Sequence, residues 1–164
     1  MGKSILFLLA IMLPTLGFSA DLRGRMGIGA TNQLDNGVPA LSIKVQRSKT
    51  FALGGILGFD SNEDRTLYGA GIKFYRIIFD EPQLNFYLAG LFATQSYFDE
   101  TKNETTSGFQ ADGTLGSEFH FSGLESIGFS FEFGITARTG KPNKGTSFQT
   151  LGDNFLKAAV HFYL

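Results

Sequence analysis

The chain has 164 residues, 14 Lys and Arg against 15 Asp and Glu, a formal net charge of -1, no Cys and no Trp. That length allows one domain, and the balanced charge gives no electrostatic case for nucleic acid. Without Cys there is no disulfide framework, no thiolate metal site, no thiol nucleophile and no lipid-modified Cys.

Residues 1–20 read as a secretory signal. Lys3 supplies the positive start, and Ile5 to Leu13 is an apolar run too short to span a bilayer as a helix. Pro14 breaks the run, and small residues place the cleavage site after Ser19 or Ala20. Residues 21–164 are then the mature, exported domain.

That domain divides into runs that alternate apolar and polar with period two, the mark of strands with two different environments. Strand one, Leu22 to Thr31, sets Leu22, Met26, Ile28 and Ala30 against Arg23 and Arg25. Strand two, Ala40 to Arg47, sets Leu41, Ile43 and Val45 against Ser42, Lys44 and Gln46. Strand three, Phe51 to Asp60, has Phe51, Leu53, Leu57 and Phe59 opposite Ala52, Gly54 and Gly58. Strand four, Thr66 to Ile78, has Tyr68, Ala70, Ile72 and Phe74 opposite Gly69, Gly71, Lys73 and Tyr75. Strand five, Leu84 to Tyr97, has Leu84, Phe86, Leu88 and Phe92 opposite Asn85, Tyr87 and Gln95. Strand six, Phe109 to Phe121, has Phe109, Leu115, Phe119 and Phe121 opposite Gln110, Asp112, Glu118 and His120. Strand seven, Ile127 to Arg138, has Phe129, Phe131, Phe133 and Ile135 opposite Ser130, Glu132, Thr136 and Arg138.

The last stretch, Asn154 to Leu164, is the eighth strand. Leu156, Ala158, Val160, Phe162 and Leu164 share one face; Lys157, Ala159, His161 and Tyr163 share the other. A polar Lys157, a small Ala159 and apolar Phe162 and Leu164 resemble the C-terminal strand of bacterial outer-membrane β-barrels. Along the whole mature chain the pattern is similar to the small eight-stranded outer-membrane barrel superfamily. The resemblance implies that this segment closes the barrel and is read by the barrel assembly machinery. It also implies a Gram-negative cell envelope and a role in envelope integrity or surface contact.

Loop lengths carry a separate signal. Asn32–Pro39, Ser61–Arg65, Phe98–Gly108 and Thr139 to Asp153 alternate with the shorter Ser48–Thr50, Phe79–Gln83 and Ser122–Ser126. Outer-membrane barrels alternate long outer loops with short periplasmic turns. The expected fold is therefore all-β: a closed, antiparallel, up-and-down transmembrane β-barrel of eight strands with both termini in the periplasm. A mean hydropathy of +0.03 is too low for a bundle of membrane helices and suits a barrel apolar on alternate residues.

Alternation alone does not say which face points outward, because lipocalins hold a ligand within apolar walls. The polar faces carry mid-strand charges, Lys73, Glu118, Glu132 and Lys157, while the apolar faces are nearly uncharged. A cation at the bilayer midplane costs about 2–4 kcal/mol in such barrels, so the apolar face is expected to meet lipid. The exception, Arg76, lies near Asp80 and Glu81, where it can snorkel to the interface.

Eight strands enclose a lumen narrow enough to fill with side chains. Pairing strands through the short turns sets Glu132 opposite Ala159, with Lys157 and His161 diagonal to it and Arg25 one strand further. The expectation is a lumenal ion network centred on Glu132 and bridging Arg25 and Lys157, with Lys73 and His161 nearby and Glu118 facing Tyr87. A plug of salt bridges closing the lumen is the leading role for it; a gated polar path or proton site is the other.

Catalytic and metal signals are thin. His120-Phe121-Ser122, with Glu118 and Glu125, has the residue types of a serine hydrolase and faintly resembles the His-x-Ser of barrel lipid A deacylases. Yet His120 falls on the lumen face, Ser122 opens a periplasmic turn, and strand seven has no second His. Asp60 to Asp64 has the start of a calcium loop, but Arg65 stands where Gly is needed and Gly71 where Glu is needed. No metal or cofactor is expected. The loop Thr139 to Asp153 carries Lys141, Lys144, Phe148 and Leu151, a basic and apolar set able to touch lipopolysaccharide or an extracellular surface partner. The function expected is a non-enzymatic outer-membrane protein, with a soluble periplasmic lipid-binding barrel or a lipid A-modifying hydrolase as the alternatives.

Overall fold

Phe and β-branched residues alternating with polar or small ones favour strands with two unlike faces, and strands make up the fold. The computed structural model describes residues 22–62, 65–99, 103–140, 143–150 and 156–164. The signal segment lies outside them, as do Lys141 and Leu151 of the basic loop. Among the described residues the strands are β1 (Met26–Thr31), β2 (Ala40–Ser48), β3 (Phe51–Ser61), β4 (Arg65–Glu81), β5 (Leu84–Asp99), β6 (Glu104–Phe121), β7 (Leu124–Gly140), β8 (Asn143–Thr150) and β9 (Lys157–Tyr163).

Each strand from β1 to β7 pairs antiparallel with the next, and β9 joins β7 to β1, so the sheet closes on itself. β8 and β9 both pair with β7, β8 against Ile135 to Gly140 and β9 against Ile127 to Glu132. Together they form one wall element, and the result is a closed eight-stranded antiparallel barrel, as the alternation led one to expect. Closure leaves the lower wall without an exposed edge.

One end carries three two-residue turns, Lys49-Thr50, Pro82-Gln83 and Ser122-Gly123. Two-residue connections suit tight hairpins, and Gly123 has the positive φ, +82°, that such a turn often requires. The opposite, loop end departs from expectation. Within Phe98–Gly108 and Thr139 to Asp153 most described residues are strand, not loop, because β5 to β8 continue past the expected ends, with Asp99 paired to Glu104 and Gly140 to Asn143. β1 and β2 stay short, so the wall is tall on one side and low on the other.

The outer face is apolar around the whole circumference. Leu41, Leu57, Ile72, Phe92, Phe133, Ile135 and Phe162 are exposed on strands distributed around the barrel. Rings meet across neighbouring strands: Phe79 with Phe86 at 6.5 Å, Phe119 with Phe131 at 6.2 Å and Phe121 with Phe129 at 5.7 Å between centroids. Such aromatic pairs stabilise a sheet face.

Two expectations at the N-terminal side are corrected. Leu22 was assigned to the apolar outer face of strand one, but it is buried. The strand begins only at Met26, because Gly24, with φ +76°, turns the chain. Gly24 N donates to Gln46 O at 2.8 Å and Arg25 N to Leu22 O at 3.0 Å, which tucks Leu22 under the turn end. Arg25, expected in the lumen, is exposed below the ladder instead. Water at the open end solvates a guanidinium far better than the filled lumen would.

Candidate functional site: a filled lumen with two buried ion pairs

Inward positions of the strands carry the charges. Lys44 on β2, Lys73 on β4, Glu118 on β6 and Glu132 on β7 are buried. A buried charge is tolerated only when paired and hydrogen-bonded, and the lumen meets that requirement twice.

In the first pair, Lys73 Nζ lies 2.5 Å from Glu132 Oε1. The same oxygen accepts from Tyr87 OH at 2.8 Å, while Oε2 accepts from Thr114 Oγ1 at 2.9 Å and Gln33 Nε2 at 3.0 Å. Four donors satisfy the lone pairs that Glu132 offers. Gly116 makes this packing feasible: a Cβ there would stand 2.7 Å from Glu132 Cγ and from the Tyr87 ring.

In the second pair, Lys44 Nζ lies 2.7 Å from Glu118 Oε2, and Tyr163 OH donates to Glu118 Oε1 at 2.6 Å. His120 Nε2 is 3.8 Å from Glu118 Oε2, and His161 Nε2 is 2.9 Å from Ser42 Oγ. Tyr75 joins the two pairs: Lys44 Nζ lies 4.8 Å and Lys73 Nζ 4.9 Å from its ring centroid, within cation–π reach.

The register differs from the expected one. Glu132 is opposite Lys157, not Ala159, which faces Ser130. Glu118 is opposite Asn85, and Tyr87 is opposite Gly116. Both shifts are of two positions, which preserves which face each side chain takes. They arise because the chain advances seven positions from Thr150 to Lys157 while β7 advances three from Ile135 to Glu132, and because β5 and β6 extend well beyond their expected ends. Consequently Glu132 does not bridge Arg25 and Lys157. Its carboxylate is taken by Lys73 on β4, a strand that adjoins neither neighbour of β7. Lys157 is buried beside it, and His161 sits two levels nearer the turn end with Ser42.

Residues 32–39 were expected as an external loop, but Gln33, Leu34 and Val38 of that segment are buried in the lumen. Leu34 is fully buried against Ala40, Ile56, Leu91 and Ala93. Its Cδ1 occupies the space that side chains at Gly58 and Gly69 would fill, 2.7 and 3.0 Å from the Cβ each would carry. Gln33 Oε1 accepts from Lys73 Nζ at 2.5 Å. Gln110 holds the backbone on both sides of Leu34, accepting from Asp35 N at 3.0 Å and donating to Gln33 O at 3.1 Å. Asp35 forms an ion pair with Arg138. Lys44, Tyr75 and Arg138 were legible as inward positions of their strands; Gln33, Leu34 and Asp35 carried no strand pattern to reveal them.

The hydrolase residues are not assembled. Ser122 is exposed in its turn, where its hydroxyl accepts from Gln83 Nε2. The His120 ring is buried, with Nδ1 3.2 Å from Glu125 O. Among the described residues no cluster of three or more His, Asp or Glu side chains is placed to hold a metal ion. Phe148 of the basic loop is on β8 and is the most exposed large apolar side chain there. No protein-family model matches the chain, and no curated protein or solved structure matches it.

Proposed function

We propose that this chain is a non-enzymatic outer-membrane barrel whose lumen is plugged by paired charges, with its short turns in the periplasm and its taller loop end outside the cell. The observation that carries the reading is the inversion of the usual soluble pattern. Paired lysines and glutamates fill the inside, while Leu, Ile and Phe cover the outside. An apolar outer band suits hydrocarbon, and a closed ladder leaves few backbone groups for lipid to strand. Exposed apolar area of that extent is unusual on a soluble monomer.

The filled lumen argues for a structural or surface-contact role over bulk transport. Outer-membrane lipid and lipopolysaccharide are the partners that its outer face and loop end fit. The strand from Lys157 is the segment that the assembly machinery would read.

The test is fractionation of cells expressing the full chain. The reading requires that the mature protein sediment with outer membranes, resist extraction by alkali, and migrate differently on a gel before and after boiling. Recovery in the soluble periplasmic fraction without detergent would replace it with the lipid-binding alternative. Lipid A mass analysis with and without Ser122→Ala tests the hydrolase alternative, which needs a change in acyl composition that the substitution abolishes.

A further inference from the structure

The segment Gln33–Asp35 fills the loop-end half of the lumen, but the way it is held differs from the rest of the interior. We propose that it is a detachable stopper, latched by Asp35 on Arg138, and that its release opens the lumen to water down to the Lys73–Glu132 pair.

Four observations support release over permanence. First, residues 33–39 are outside every strand ladder, so the segment can leave without breaking a barrel backbone bond. Second, the wall groups that hold it have other partners. Glu132 retains Lys73, Tyr87 and Thr114. Gln110 retains Asp112 and Gln95. Arg138 retains Ser147 and Gln149. Third, closure is imperfect: Asn36 Nδ2, next to the latch, is buried with no hydrogen-bond partner, which disfavours the closed arrangement. Fourth, the segment has defined pivots. Asn32 is fixed to the ladder, its N donating to Ala158 O at 3.2 Å and its Oδ1 accepting from Ala158 N at 2.7 Å. Gly37, with φ +75°, turns the chain at the other side.

The latch stands at the mouth. Arg138 is 34% exposed while Asp35 is 6% exposed, so salt and a competing carboxylate can reach the guanidinium. Leu34, in its socket between Gly58 and Gly69, is the apolar anchor that returns the segment when the latch re-forms.

This inference rests on the barrel geometry and not on the membrane reading, and its test works in detergent or in buffer. The chain has no Cys, so single reporters can be placed at Ala93→Cys, beneath the stopper, and at Ala52→Cys, in the cluster with Tyr75 and Tyr87 below it. Their reaction with a charged, water-soluble thiol reagent is timed with the latch intact and with Asp35→Asn. The expected result is labelling at Ala93→Cys that rises about tenfold on breaking the latch, as a larger open population is sampled, with Ala52→Cys unchanged. If Asp35→Asn prevents folding, molar salt on the intact latch replaces it, because screening weakens a part-exposed pair. Equal rates at Ala93→Cys with the latch intact and broken overturn the proposal. So do rates that rise together at both sites, which report loosening of the whole barrel.

Discussion

Glu132 and Lys73 make their contact across the lumen, 2.5 Å apart, from β7 and β4, two strands that share no ladder. The pair therefore ties opposite walls together, and Lys73, Tyr87, Thr114 and Gln33 surround the Glu132 carboxylate with four donors.

Replacing Glu132 by Gln leaves the Lys73 ammonium buried without its counter-charge. Removing one partner of a buried pair costs about 3–5 kcal/mol. Urea unfolding of the refolded barrel should show a loss of that size, and Lys73→Met combined with Glu132→Leu should recover roughly half of it, since an apolar pair avoids the stranded charge. An unchanged midpoint for Glu132→Gln would remove the pair from any account of the barrel's stability.

Tyr75 lies between two lysines and should couple to each. A double-mutant cycle of Lys44→Met with Tyr75→Leu is expected to give an interaction energy of about 0.5–2 kcal/mol. A cycle that closes to zero means the ring is only filler.

Two glycines separate steric necessity from tolerance. A Cβ at Gly116 meets Glu132 and the Tyr87 ring at 2.7 Å, whereas one at Gly55 meets nothing within 4 Å. Gly116→Ala should cost about 1–3 kcal/mol through overpacking. Gly55→Ala should be neutral or stabilise by about 0.5–1 kcal/mol through reduced chain entropy. Equal effects at the two positions would contradict the packing of the lumen.

The outer face can be tested at Phe131, which is 41% exposed on β7. Phe131→Arg in lipid vesicles should cost about 2–4 kcal/mol if the side chain meets the bilayer interior. A surface position in water would change by no more than about 0.5 kcal/mol.

Much of the architecture was legible because a period of two assigns every residue of a strand to one face. Lys73, Glu118 and Glu132 fell on the inward face for that reason alone, and a register error of two positions did not move them. Which charge meets which was not legible. Lys73 reaches Glu132 across the lumen, a contact fixed by barrel closure and by the ladder extensions of β5 and β6, neither of which alternation encodes. Alternation does not place Leu22 and Arg25, because the backbone turns at Gly24 and the period of two does not run through it. Gln33, Leu34 and Asp35 sit among Asn, Gly and Pro, residues that read as an external loop. Their burial depends on Gly58 of β3 and Gly69 of β4 leaving room for Leu34.

The central claim is orientation, and one measurement addresses it most directly. Nitroxide labels placed singly at Leu57, Phe92 and Phe131, on three strands around the barrel, can be tested in lipid vesicles for collision with oxygen and with a water-soluble nickel chelate. Preferential collision with oxygen at all three sites is the predicted result, since oxygen concentrates in hydrocarbon. Preferential collision with the nickel chelate at these sites would mean that the apolar face meets water, and the membrane assignment would fall.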